Sequence, residues 1–342
     1  MPPDSNDRPS PVGVGVTPFQ ADAEATIRLA ARAEELGFGQ FGMAEGWTND
    51  AIVVLTQIAG VTSRIGIGTG VLSVWSRSPA TIAMAAAGLQ RASGGRFSLG
   101  LGASSPPLVE GLHGLTWERP APRIRKTLVE TRALLEGERL PLEREGVRPL
   151  RIGEPPSEPV PIALAALAPA SIRLAGELAD AWLPFLWARS RLDEGRALLV
   201  EGETRADGSS PTYVRTSVPL AIGQNEEAAR VIAAGWLVAY LTRMGPIYPR
   251  LLSERFGFAD QVDAVLAANQ DGPGGLPAEA EELAREVTIM ASYDDAPDAI
   301  AAWLDAGADG VDLVLPPGVP EEMLAEMLEA AAPAASSAPA PT

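Results

Sequence analysis

Short apolar segments alternate with amphipathic segments along most of the chain. The apolar run 12–16 precedes a segment with helical spacing that opens at Ala21-Asp22 and ends at Gly37. The run 40–44 precedes a second helical segment, 50–58, in the same way. Repeated strand and helix at this spacing predicts parallel strands joined by helical crossovers, with helices covering the sheet.

Eight strand and helix units can be placed in this way. The predicted strands lie at 12–16, 40–44, 65–71, 96–100, 160–165, 181–183, 213–222 and 310–315. The predicted helices lie at 21–37, 50–58, 79–89, 123–136, 171–178, 226–241, 296–306 and 320–331. The alternation predicts an α/β fold, either a (β/α)8 TIM-type barrel or an open doubly wound sheet. The pattern alone does not decide between them.

Three segments interrupt the alternation and are predicted to be insertions. The segment 103–122, after the fourth strand, is rich in Pro, Gly and Ser, and 139–159, before the fifth strand, is charged and rich in proline. The segment 242–286, after the predicted helix 226–241, is expected to form short helices over one end of the sheet, where it could form a lid. Long loops after strands are where barrel enzymes carry their chemistry.

The domain organisation follows from length and from the composition of the two ends. A chain of 342 residues can form one large core, so 12–331 is predicted to be one domain. The polar N-terminus, 1–11, is expected to be flexible, and the Ala, Pro and Ser tail, 332–342, to be disordered.

Composition narrows the function classes. No apolar run approaches the roughly 20 residues that span a bilayer, and no secretory signal opens the chain, so a cytoplasmic protein is expected. The formal charge of -17 disfavours nucleic acid and anionic membranes as partners. Without cysteine, and with His113 as the single histidine, the sequence offers no thiolate site, zinc cluster or serine triad, and no metal site is predicted.

Three sequence blocks resemble the luciferase-like monooxygenase superfamily, and its F420-dependent branch above all, which contains methylenetetrahydromethanopterin reductase. The first block is TSRIGIGTGV at 62–71 with RSP at 77–79 and SGGRFSLGLG at 93–102. The second is AALAP at 165–169 with RLAGELADAW at 173–182, and the third is AGADGV at 306–311. The resemblance runs through most of the chain and implies a (β/α)8 barrel that binds a deazaflavin or flavin.

The resemblance also implies where the cofactor ring lies. In this branch the ring rests against a bulge after the third strand that contains a non-prolyl cis peptide, and the matching bond is Gly70-Val71, with Ser73 just beyond it. Without the family, the glycines of this strand would be explained by crowding at the barrel axis.

The family's cofactor phosphate lies over main-chain amides after the fifth strand, which correspond to Ala166, Leu167 and Ala168. A helix N-terminus offers free N–H groups and partial positive charge, so no lysine cluster is needed. Most relatives have glycine at the position of Ala168. Apart from the family, the run is typical of a buried strand end.

Further site residues are expected in the loops after the second and fourth strands. Gly102, Ala103, Ser104 and Ser105 would contact the ring edge, the alternative being surface turn serines. Glu45 would lie beside the cofactor, as hydrogen-bond partner or proton donor, unless it is a solvated loop carboxylate.

His113 is a second candidate catalytic residue, although a lone loop histidine is more often structural or exposed. Related sugar-oxidising enzymes carry a histidine and a glutamate where this chain has Gly46 and Ser105. Oxidation of alcohols or sugar phosphates is therefore disfavoured.

These observations support three hypotheses. The first is an F420-dependent oxidoreductase that transfers hydride to an activated C=C or C=N bond of a small organic substrate. The second is an FMN-dependent monooxygenase of the same fold, and the third a barrel that binds cofactor without turnover. A homodimer is expected from the resemblance, with the Ala-rich helix 80–89 as a possible interface.

Overall fold

A computed structural model of the protein describes residues 9–140, 146–206, 210–272 and 274–337. These residues contain ten β-strands. They are β1 Val12–Val16, β2 Gln40–Met43, β3 Gly66–Thr69, β4 Leu72–Ser73, β5 Phe97–Gly102, β6 Ile162–Ala165, β7 Ala181–Trp182, β8 Tyr213–Gly223, β9 Ile289–Ser292 and β10 Gly310–Leu315. All of their pairings are parallel.

The strands close into a barrel because β10 pairs on both of its sides. Val311 lies beside Val12 of β1, and Gly310 lies beside Arg215 of β8. The remaining order is β1-β2-β3-β5-β6-β7-β8, with β3 and β4 together forming the third barrel strand. The closed ring confirms the predicted TIM-type barrel and excludes the open sheet.

Two strands, the short β4 and β9, were missing from the predicted set. β9 pairs with the carboxyl-terminal half of β8, beginning with Ile289 beside Leu220, while β10 pairs with the first half of β8. The eleven-residue strand β8 thus pairs with β10 along its first half and with β9 along its second half. β9 lies beside the ring and does not add a ninth strand to it.

Thirteen α-helices lie among the described residues. They are α1 Ala23–Glu35, α2 Ala51–Val61, α3 Pro79–Ala92, α4 Pro106–Gly111, α5 Pro120–Leu135, α6 Pro169–Leu178, α7 Leu192–Glu203, α8 Glu226–Arg243, α9 Ile247–Arg250, α10 Ala259–Ala268, α11 Glu281–Val287, α12 Ala296–Asp305 and α13 Glu321–Ser337. Short 3-10 turns occupy Arg189–Arg191 and Ala278–Ala280, and a π-turn occupies Leu251–Arg255. Of these helices, α4 and α7 were not predicted.

Several helices begin at a side chain that caps them. The carboxylate of Asp22 accepts a hydrogen bond of 2.9 Å from the amide of Ala25, and Asp50 accepts from two amides of the first turn of α2. Ser78 and Asn225 cap α3 and α8 in the same way. Each cap satisfies an N–H group that has no partner within the helix.

The core is continuous from the barrel strands to the surrounding helices. Its largest fully buried side chains are Trp182, Trp187, Trp236 and Trp303. None of the helices in the described ranges is long and apolar enough to cross a membrane.

The ends of the chain differ in part from expectation. Helix α13 continues to Ser337, with Ala334 and Ala335 buried, so the prediction of disorder is wrong for 332–337. Small apolar side chains still cover core surface when a helix presents them on one face. Residues 1–8 and 338–342 lie outside the described part of the chain, as do 141–145 of the predicted excursion before the fifth strand.

Candidate active site

A cavity of about 340 Å³ lies at the carboxyl-terminal ends of the barrel strands. Val16, Gly102 and Ala165 line it from the ends of β1, β5 and β6, and Val314 lines it from β10. This is the end at which barrel enzymes carry their active sites. Its volume is at the lower end of the range of about 300–1,000 Å³ for small-molecule sites.

The eleven residues predicted to bind cofactor all line this cavity. They are Glu45, Gly70, Val71, Ser73, Gly102, Ala103, Ser104, Ser105, Ala166, Leu167 and Ala168. His113, predicted to be catalytic, is exposed in the loop after α4 and is not among the lining residues. The structure brings the other candidates together, and their roles remain predictions.

The bulge between β3 and β4 forms one wall of the cavity. The Gly70-Val71 peptide is cis, as the resemblance implied. Main-chain hydrogen bonds hold the bulge to the end of β2, from Gly70 N–H to the Met43 carbonyl at 2.8 Å and from Glu45 N–H to the Val71 carbonyl at 3.1 Å. A Cβ atom on Gly102 would lie 2.6 Å from a methyl group of Val71, so this close approach requires glycine.

The loop after β5 is fixed by two indole groups. Trp75 Nε1–H and Trp117 Nε1–H both donate to the Ala103 carbonyl, at 3.0 and 3.2 Å. The next residue, Ser104, has the left-handed φ of 59° that few non-glycine residues adopt. The Ser105 side chain is buried, and its hydroxyl has no hydrogen-bond partner in the structure. A ligand in the cavity could supply that partner.

The turn between β6 and α6 presents free amides to the cavity. Within the described ranges, the main-chain N–H groups of Ala166, Leu167 and Ala168 donate to no protein acceptor. The Ala166 carbonyl accepts from Trp182 Nε1–H at 2.8 Å, which fixes the turn. Ala168 is the N-cap of α6 and carries no capping side chain. Amides placed in this way can bind an anionic group.

Glu45 belongs to a charged cluster at the edge of the cavity. Arg77 donates to the Glu45 carboxylate at 2.8 Å and to the Asp50 carboxylate at 2.8 Å. The side chains of Glu45 and Arg77 are 15% and 16% exposed. Glu45 is therefore not the solvated loop carboxylate that the sequence left as an alternative. Burial lowers the pKa of Arg77, but its hydrogen bonds to both carboxylates outweigh burial and raise that pKa above its ordinary value.

Sequence reasoning missed the wall that α8 and α9 form. Tyr240 and Met244 line the cavity from the end of α8, and Ile247 and Tyr248 line it from α9, in the predicted insertion. Their apolar spacing in the sequence is that of ordinary core residues. The expectation of a lid over 242–286 was the only signal for Met244, Ile247 and Tyr248, and no signal pointed to Tyr240.

Two arginines near the cavity were also missed. Arg255 stacks on the ring of Trp187 at 4.5 Å and donates to the Leu167 carbonyl at 3.4 Å, which places a cation beside the free amides. Arg215 is buried inside the barrel, 2.7 Å from the carboxylate of Asp312, which lines the cavity. Burial lowers the pKa of Arg215, but Asp312 outweighs burial and raises it.

Comparison with known proteins decides the family. The sequence profile of the luciferase-like monooxygenase family matches residues 7–310. The chain belongs to the luciferase-like monooxygenase family. This confirms the predicted family and, with it, an enzyme of the oxidoreductase class.

Relatives of this luciferase-like protein include a Mycobacterium tuberculosis protein provisionally named a coenzyme F420-dependent oxidoreductase. It is 31% identical over 320 residues, which cover 86% of this chain and 90% of the relative. The 5,10-methylenetetrahydromethanopterin reductase of Archaeoglobus fulgidus is 30% identical over 279 residues, which cover 78% and 80% of the two chains.

The fold is shared with a solved relative. The F420-dependent tetrahydromethanopterin reductase of Methanopyrus kandleri superposes with a TM-score of 0.73 at 24% identity, over 94% of this chain and 97% of that one. The luciferase-like protein therefore has the barrel of that enzyme.

Proposed function

We propose that this protein is an F420-dependent oxidoreductase that reduces an activated C=C or C=N bond of a small organic substrate. The observation that supports it most is the single cavity that gathers the bulge at Gly70-Val71, the loop at Ser105 and the free amides of 166–168. The choice of deazaflavin over flavin rests on the two relatives whose names include F420 or a methanopterin reductase activity.

The residues of the cavity fit a phosphorylated cofactor with a flat, heteroatom-rich ring. The amides of Ala166, Leu167 and Ala168 would hold the phosphate, with Arg255 adding positive charge nearby. The hydroxyl of Ser105, which lacks a partner, would bind a heteroatom of the ring. The glycines at 70 and 102 would allow the ring to lie close to the main chain.

When bound, reduced F420 would supply a hydride, and the substrate would take up that hydride and one proton while the cofactor is oxidised by two electrons. The protein would orient the reacting groups and exclude water from them. Arg77 fixes the carboxylate of Glu45 at the cavity edge, where it would face the cofactor. His113 has no place in this proposal because it does not line the cavity.

Equilibrium dialysis of the purified protein against F420 and, separately, FMN tests the proposal. F420 is expected to bind more tightly than FMN. Preference for FMN would instead favour a flavin-dependent monooxygenase of the same fold, which would consume oxygen once its flavin is reduced. Absence of binding by both would rule out both enzymes.

We also infer a homodimer formed through α2 and α3. These adjacent helices expose Val53, Val61 and Met84 at 57%, 56% and 57%, and residues 51–61 and 79–90 contain no charged side chain. An uncharged outer surface is unusual in a chain with 21% charged residues, and it suits a contact between two copies.

A further inference from the structure

One wall of the cavity, formed by Phe185 and residues of α8 and α9, is aromatic and aliphatic. The rings of Phe185 and Tyr240 have centroids 4.7 Å apart, and those of Tyr240 and Tyr248 are 5.1 Å apart, edge to face. Met244 and Ile247 extend this wall into the insertion. Such a surface stabilises an apolar body that leaves water.

No cationic side chain lines the same cavity within the described chain. Glu45 and Asp312 are the charged side chains among its lining residues in the described chain, and each is paired with an arginine, Glu45 with Arg77 and Asp312 with Arg215. An anionic substrate placed between these pairs would lose water without gaining a counter-ion. Away from the amide turn, the cavity therefore favours an uncharged ligand.

Tyr240 supplies a hydrogen-bond donor within the apolar wall. Its side chain is 4% exposed, and its hydroxyl makes no hydrogen bond to any part of the chain that the structure describes. Burial raises the pKa of Tyr240 well above its ordinary value, so the hydroxyl keeps its proton and can donate it to an acceptor. Because Tyr240 lines the cavity, an acceptor on a ligand there can bind this hydroxyl.

The ring of Tyr240 is held more firmly than that of Tyr248. Tyr240 lies on α8 and contacts the rings of Phe19, Phe185 and Trp236 at 5.9, 4.7 and 6.0 Å. Tyr248 lies on the four-residue helix α9 and is partly exposed. A donor that selects one orientation of a substrate must itself be rigid, which favours Tyr240.

We propose that the substrate is a small uncharged molecule with an apolar body and one oxygen or nitrogen acceptor, and that Tyr240 binds this acceptor. The inference rests on the proposed function, because it assumes that the cofactor occupies part of the cavity. The substrate would occupy the remaining part. A small molecule in which a carbonyl is conjugated to a C=C bond fits this description, because its carbonyl oxygen is the acceptor. Tyr240 would be a specificity-determining residue.

The test uses three small probes on the protein loaded with oxidised F420, which cannot donate hydride. The probes are 2-cyclohexen-1-one, cyclohexene, which lacks the acceptor, and 1-cyclohexene-1-carboxylate, which adds a negative charge. Dissociation constants come from ligand-observed NMR titrations. The enone is expected to bind about tenfold more tightly than the carboxylate. Equal affinity for these two, or no saturable binding of the enone, would overturn the substrate class.

Substitution then tests the role of Tyr240. Tyr240→Phe should weaken enone binding about tenfold and leave cyclohexene binding unchanged, because only the hydrogen bond is lost. Tyr293→Phe is the matched control, since Tyr293 does not line the cavity, and it should change neither affinity. Unchanged enone binding in Tyr240→Phe, or a loss in Tyr248→Phe alone, would overturn the assignment of Tyr240.

Two further titrations separate this inference from the proposed function. F420 affinity is measured by dialysis for each variant, and the probes are also titrated into protein without cofactor. If F420 does not bind, the proposed function fails, while enone binding to the protein alone still decides whether Tyr240 binds the acceptor.

Discussion

Ala168 has two roles in the structure. It is the N-cap of α6, and it is one of the three residues with free main-chain amides. An aspartate there would cap the helix but would place a negative charge at the proposed phosphate site. Ala168→Asp is therefore expected to weaken F420 binding about tenfold at low salt, and less at high salt because the position is exposed. Equilibrium dialysis at two salt concentrations measures this effect.

Ala168→Asn is the matched control, because asparagine caps helices as well as aspartate does but carries no charge. Both variants should unfold at or slightly above the wild-type temperature. If the two variants bind F420 equally, the phosphate does not lie at this turn.

The two walls of the cavity were not equally predictable at the residue level. The residues at 70, 102 and 166–168 belong to blocks that resemble the family and lie at strand ends, so their place could be inferred. Tyr240 lines the cavity from α8, and Arg255 contacts the Leu167 carbonyl from the insertion, so both come from elements distant in sequence from these blocks. No local pattern distinguishes a tyrosine that faces a cavity from one that fills a core.

At the scale of elements, α6 and α7 pack at a distance that only glycine allows. A Cβ atom on Gly202 would lie 2.0 Å from the Arg173 carbonyl oxygen, and one on Gly176 would lie 2.1 Å from that of Leu199. Gly202→Ala is expected to lower the free energy of unfolding by about 1–3 kcal/mol, because the two helices must separate. Urea denaturation followed by circular dichroism measures the change.

Gly235→Ala provides the comparison at an exposed position inside α8. A Cβ atom there meets no other atom within 4 Å, so alanine should raise stability by about 0.5–1 kcal/mol through its better helix propensity. A loss of stability in both variants, or in neither, would contradict the contact between α6 and α7 described above.

The glycines of α7 explain why this helix was not predicted from the sequence. Its buried positions include Gly195 and Gly202 beside Leu192 and Leu199, so half of its buried face has no apolar side chain to show the helical period. Strand β9 is only four residues long and follows α11 after a single residue, without a turn signal. The eight strands of the ring were predictable because each has an apolar run set apart from its helices.

For the whole molecule, the uncharged outer surface of α2 and α3 predicts how two copies associate. Met84→Glu is expected to convert the dimer to a monomer, since a buried unpaired carboxylate would be costly in the interface. Light scattering coupled to size-exclusion chromatography measures the mass. Val231→Glu, at a similarly exposed apolar residue on α8, should leave the mass unchanged. A wild-type monomer would rule out the inferred interface.

The two walls of the cavity also differ in how they can evolve. The wall at 70, 102 and 166–168 contributes mainly main-chain groups at strand ends, and these groups stay in place when side chains change. The wall formed by α8 and the insertion consists of large side chains, such as Tyr240 and Tyr248. A duplicated gene can therefore change its substrate by substitutions in the second wall while it inherits the cofactor site intact.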